Sequence, residues 1–281
     1  MFLTLNLPRG LWPFDVRSKD RSLTTPFPVI ALPGKSTDEA GAMGWKLFLH
    51  SVRMVLDNLG VALRLSSLLY LVQMAFTVFL FVTPDDSLQQ PTAGTAELLL
   101  LSIFAVVASL WIAVGWHRFV LTGEEPAGFV PRWHGSEMLS YFGRSLLIGF
   151  ILIALGSVIA GLVLGIGSSP ALIGLMTFGL VGLGSYIFFR VGLVLPASAM
   201  GKPMKMRESW DATSGDSTAL LQLALIVIGA KLLIEIPGMI DGNTTGPISL
   251  IYGLVIDWFV TMFGVSLLTT LYGVFIEGRR L

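Results

Sequence analysis

The sequence predicts an all-α integral membrane protein: six transmembrane helices paired as three antiparallel hairpins, with amphipathic interfacial helices on the cytoplasmic side. Three observations predict it. Apolar residues make up 54% of the chain and charged residues 13%, too little polarity to cover a soluble protein of 281 residues. Six apolar runs stand out, at about 63–83, 97–115, 145–166, 171–196, 219–237 and 249–275. A helix needs about 20 residues to cross a hydrocarbon core of ~30 Å, and these runs provide it. Finally, Lys and Arg concentrate before the first run, between runs two and three, between four and five, and after six. The connections 84–96, 167–170 and 238–248 hold none, and their charges are Asp85, Asp86 and Asp241. The positive-inside rule then puts both termini in the cytoplasm, with an even number of spans.

Residues 1–42 read as a flexible cytoplasmic tail ahead of a membrane domain at 43–281. Pro8, Pro13, Pro26, Pro28 and Pro33 break any helix, and the stretch from Asp15 to Arg21 is a solvated charge run. No compact apolar segment with a cleavage site opens the chain, so the spans themselves are expected to act as insertion signals. From Trp45 the pattern changes. Trp45, Phe48, Leu49, Val52, Leu56 and Leu59 recur at helical spacing, with Lys46, His50, Arg53 and Asp57 on other faces. That is an amphipathic helix suited to the membrane interface, or to packing on protein.

Similar stretches at Trp133–Arg144 and Met204–Gly215 precede the third and fifth spans, so each hairpin is introduced by a surface helix. The middle hairpin is dense in glycine. Gly156-x-x-x-Ala160 and Gly161-x-x-x-Gly165 predict a tight seam against the fourth span, reached through Gly167-Ser168-Ser169-Pro170. Pro196 is expected to end or kink the fourth span.

Few ionisable residues lie within the spans. Lys231 and Glu235 share a face at i, i+4, and Asp257 falls at a comparable depth on the following span. A charge in hydrocarbon costs ~3 kcal/mol or more, so such groups pair or face water. The cluster reads either as a structural ion pair, with Lys231 reaching outward, or as an ion relay or polar-ligand anchor. Arg190 lies about two turns above the cytoplasmic end of its span, within reach of headgroup phosphates or of Glu208 and Asp211. Arg118, beside Trp116 and His117, suits an interfacial belt. Glu124 and Glu125 read as a solvent-facing loop pair. No His or carboxylate spacing predicts a metal, and zero cysteines remove thiol chemistry. No complete phosphate-cradling loop or nucleophile elbow is present.

Arg190, Leu195-Pro196-Ala197 and the stretch Arg207 to Gly215, with Ser209-Trp210-x-x-Thr213-x-Gly215, resemble a pattern in bacterial six-span proteins. The group comprises YciC-like inner-membrane proteins and the membrane domain attached to some glycerophosphodiester phosphodiesterases. The resemblance implies a bacterial inner-membrane protein of six helices and little about activity. Arg190, Arg118 and Trp210 read from their interfacial positions as lipid-headgroup or structural residues. That enzyme's soluble catalytic barrel has no counterpart here. The expectation is therefore a non-enzymatic scaffold or accessory factor, without cofactor or nucleic acid. Its partners would be membrane lipids, another protein or a second copy. The alternative is a small transporter or channel using Lys231, Glu235 and Asp257.

Overall fold

A computed structural model describes residues 37–82, 95–126, 128–166, 169–241 and 246–281. All described elements are helical. In chain order they are α1 (Thr37–Asp57), α2 (Leu59–Val82), α3 (Thr95–Thr122), α4 (Gly135–Ile166) and α5 (Pro170–Val191). There follow α6 (Val194–Ala199), α7 (Met206–Ala212), a 3₁₀ turn at Ser214–Asp216, α8 (Ser217–Asp241) and α9 (Pro247–Phe275). Six stretches are long and apolar enough to cross a membrane: Leu59–Val82, Ala96–Thr122, Gly135–Leu162, Met176–Ala199, Ser214–Ile234 and Ile248–Phe275. The six-span expectation holds. The tail at 1–42 lies outside the described residues, except that α1 opens at Thr37.

The three expected surface helices turn out differently from one another. Residues 133–144 form no separate helix: from Gly135 onward they are the opening turns of α4. Helix α7 is separate and short, ending in the 3₁₀ turn. Helix α1 packs on protein, with Leu47, Ser51, Met54 and Val55 buried on one stripe. The apolar residues predicted to meet lipid occupy the neighbouring stripe, where Trp45 and Leu56 remain exposed. The buried stripe docks against both α8 and α9. Ser51 Oγ donates to Thr270 Oγ1 (3.0 Å), and Ser266 Oγ donates to Ser51 O (3.0 Å). At Gly44 a Cβ would meet Ala219 O at 2.7 Å, so only glycine lets α1 approach α8 this closely.

Helices α2 and α3 pack along each other, as do α4 and α5. The third expected hairpin does not close in the same way. Helix α1 stands between α8 and α9, which meet near their far ends, where Tyr252 donates to Ile234 O (3.1 Å). Helix α9 instead packs on α2 and α3. Trp258 Nε1 donates to Ser66 Oγ (2.8 Å), locking α9 to α2.

The core lies toward one end of the bundle, the end bearing Arg118, Arg144, Arg190 and Arg279, called here the basic end. Leu193, Leu220, Leu223, Leu267 and Leu271 are buried together there. Away from it the helices are less covered, with Phe150 and Ile153 of α4 exposed at 71% and 70%. The expected glycine seam finds no close partner atoms among the described residues. A Cβ built at Gly156, Gly161, Gly165, Gly174 or Gly179 meets no described atom within 4 Å. Helices α4 and α5 do pack, but among the described residues no atom lies close to these glycines.

The fourth span breaks between α5 and α6. In a continuous helix the Pro196 ring would collide with the carbonyl four residues back, at Gly192. The chain turns there instead, and Leu195 N donates to Gly192 O (3.0 Å). A Cβ at Gly192 would stand 2.6 Å from Phe188 O and 2.9 Å from Leu268 Cδ2. Pro196 then falls in the first turn of α6, where a missing N–H leaves no bond unmade.

Candidate functional site

Three groups of polar side chains occupy the basic half, and a crevice adjoins one of them. The first group is built on Arg190, the last-turn cation of α5, which is only 5% exposed. Its Nη1 donates to Thr213 O (2.7 Å) and Ser217 Oγ (2.9 Å), and its guanidinium lies 4.3 Å from the Trp210 ring centroid. The backbone is clasped in return, since Ser209 Oγ donates to Arg190 O (2.7 Å). Thr213 Oγ1 donates back to Ser209 O and Trp210 O, holding α7 wound. Each residue of the Arg…Ser-Trp-x-x-Thr pattern therefore has a part in one closed clasp between α5 and α7. The expected partners Glu208 and Asp211 are used elsewhere: Glu208 accepts from Lys205 N, and Asp211 lies beside Arg207. At about 100° per residue both lie on other faces of α7 than Ser209 and Thr213, which meet Arg190.

The second group links the ends of α3, α4 and α6. Arg118 Nε pairs with Glu124 Oε2 (2.7 Å) and its Nη1 donates to Ala199 O (3.2 Å) at the C-terminus of α6. His134 Nε2 lies 2.9 Å from Glu124 Oε1. Glu124 is thus largely covered, contrary to the solvent-facing reading. Arg279 donates to Val120 O (3.4 Å) and Leu121 O (2.9 Å), at the C-terminus of α3. Cations placed against helix C-termini complement the carbonyl end of the macrodipole. So Arg118 and Arg279 act as caps at this end.

The third group was missed in the sequence. His117 has no exposed surface, with Nδ1 2.8 Å from Thr269 Oγ1 and Nε2 3.4 Å from the Tyr141 hydroxyl. The Thr269 hydroxyl proton is directed at Val265 O (2.8 Å), so Thr269 accepts from His117 Nδ1–H. This assigns the proton to Nδ1 and leaves Nε2 as an acceptor facing Tyr141. Its partners come from α4 and α9, so no spacing along α3 announces them. The signal available was a histidine flanked by large apolar residues, Trp116 and Phe119, both buried.

Tyr141 also lines an apolar crevice of about 380 Å³ between α4 and α9, floored by Phe188 and Leu195. Ile148 and Leu152 form one wall, and Val265 and Leu268 the other. The polar contributions are the hydroxyls of Tyr141, Ser145 and Thr261.

The remaining sequence candidates lie away from it. Lys231 is exposed on α8, and the Glu235 side chain lies outside the described residues. Asp257, exposed on α9, faces Tyr70 of α2: the Tyr70 hydroxyl donates to Leu254 O (2.6 Å) and reaches Asp257 Oδ2 (3.2 Å). Among the described residues no group of three His, Asp or Glu is placed to hold a metal ion. No family model matches the chain, nor does a curated protein or a solved structure.

Proposed function

We propose that this protein is a non-enzymatic scaffold or accessory factor of a bacterial inner membrane, with both termini cytoplasmic, acting on lipids or on a partner complex. The observation that carries this reading is how the basic-end arginines are used. Arg118, Arg190 and Arg279 each donate to main-chain carbonyls of another segment, so they stiffen a platform. The exposed helices beyond that platform supply apolar surface for lipid, another protein or a second copy.

The alternative is a transporter using Lys231, Glu235 and Asp257. Asp257 supports it as a carboxylate within a span, held by a tyrosine hydroxyl. One experiment separates the two. The Lys231→Met, Asp257→Leu double variant is tested for complementation of a deletion strain, and purified protein in liposomes is tested for proton and cation flux. A scaffold complements without the two charges and carries no flux above protein-free vesicles. Flux that disappears in the double variant, together with lost complementation, would overturn the scaffold reading.

A further inference from the structure

The crevice between α4 and α9 has its own opening for glycine. Gly149 on one wall and Gly264 on the other both line it, and a Cβ at either meets no described atom within 4 Å. The space is therefore left by two absent side chains on apposed helices. Its volume of about 380 Å³ falls within the roughly 300–1,000 Å³ of ligand pockets. Both walls belong to stretches long and apolar enough to cross a membrane, so in a bilayer the crevice opens to lipid chains.

Chain packing alone selects nothing, because lipid tails are as apolar as the lining. Selection needs a polar contact at the mouth, and Arg144 is placed to make one. It follows Tyr141 by one turn of α4 and directly precedes Ser145, both of which line the crevice. Helical side chains lean toward the helix N-terminus, which directs Arg144 to the basic end. There its Nη1 donates to Ser198 Oγ (2.6 Å), one turn beyond the crevice-lining Leu195. No carboxylate among the described residues pairs with this half-buried guanidinium. A guanidinium carries five donors in a planar fork that matches phosphate oxygens.

We propose that the crevice seats one acyl chain of an anionic glycerophospholipid, with its phosphate held by Arg144 at the basic-end mouth. The proposal deepens the reading above and rests on it, since it places that lipid in the cytoplasmic leaflet.

The test uses the full chain in nanodiscs of phosphatidylcholine with a minor fraction of chain-spin-labelled phosphatidylglycerol or phosphatidylcholine. The immobilised fraction of each label is measured. Wild type should immobilise the phosphatidylglycerol label with a preference of roughly tenfold, the scale of one charge-assisted contact. Arg144→Gln should bring the two labels level. Gly264→Leu, which touches no charge, should fill the crevice and abolish the preferential immobilisation. Melting in detergent checks that each variant is folded; if Arg144→Gln melts early through loss of the Ser198 bond, Gly264→Leu decides. Wild-type preference retained in Gly264→Leu would overturn the proposal, as would equal immobilisation of both labels by wild type. Reporter fusions at Leu281 test the orientation separately. A misplaced C-terminus would overturn the cytoplasmic assignment without touching the lipid contact.

Discussion

At Arg190 a permanent cation is held where water barely reaches, and its neighbours determine what that costs. An isolated buried charge is strongly unfavourable, so the clasp must return most of its hydration. Thr213 O and Ser217 Oγ serve Nη1 and Trp210 covers the plane, while Nε is buried without a hydrogen-bond partner among the described residues. A lysine cannot span the same three contacts, because it lacks the planar fork. Arg190→Lys should therefore lower stability by about 2 kcal/mol, and Trp210→Leu by about 1 kcal/mol, read from thermal melting in detergent. Wild-type melting in both would show that the clasp does not hold α7 to α5. His50 makes a different kind of prediction. Burial first, and Arg53 second, hold its pKa below the ordinary 6.5, while Asp57 opposes them. A folded pKa below the unfolded value means that the unfolded chain binds more protons as pH falls. The stability is then complete above about 6.5 and is lost on acidification toward the depressed folded value. Melting should fall from pH 7.5 to 5.5, and His50→Gln should reduce that slope; an unchanged slope would remove His50 as its source.

Among the elements, α1 and α4 reverse what their sequences suggest. The apolar stripe of α1 was legible, but two stripes lie side by side, and hydrophobicity alone does not say which meets protein. Ser51 and Gly44 decide it, through Thr270 and through close contact with Ala219, partners far away in sequence. In α4 the Gly-x-x-x-Gly spacing was legible too, yet spacing states only that a helix could approach there, and no described atom comes within 4 Å of a Cβ built at these glycines. These readings give opposite outcomes for similar substitutions. Gly44→Leu should destabilise by about 2 kcal/mol or more and release α1 to protease, because backbone blocks the new side chain. Gly156→Leu and Gly161→Leu should change stability by no more than about 0.5 kcal/mol. A large loss at Gly156 or Gly161 would restore the packed seam.

For the whole molecule, the six spans were readable because hydrophobic length is a local property of the chain. What polar residues do was not, since each group is assembled across helices: His117 from α3 with Tyr141 and Thr269, Arg118 with Ala199, Asp257 with Tyr70. Arg190 and Trp210 were the exception, because a short break after α5 keeps the two halves of their clasp close in sequence. The arginines that cap helices at the basic end are among the charges that the positive-inside rule uses to orient a chain. The central claim is a six-span chain whose basic end faces the cytoplasm. Reporter fusions inserted in the 84–96 connection and after Leu281 test it most directly. A periplasm-dependent reporter should be active only in the 84–96 connection, and a cytoplasm-dependent reporter only after Leu281. A periplasmic signal at Leu281, or the same side for both positions, would contradict it.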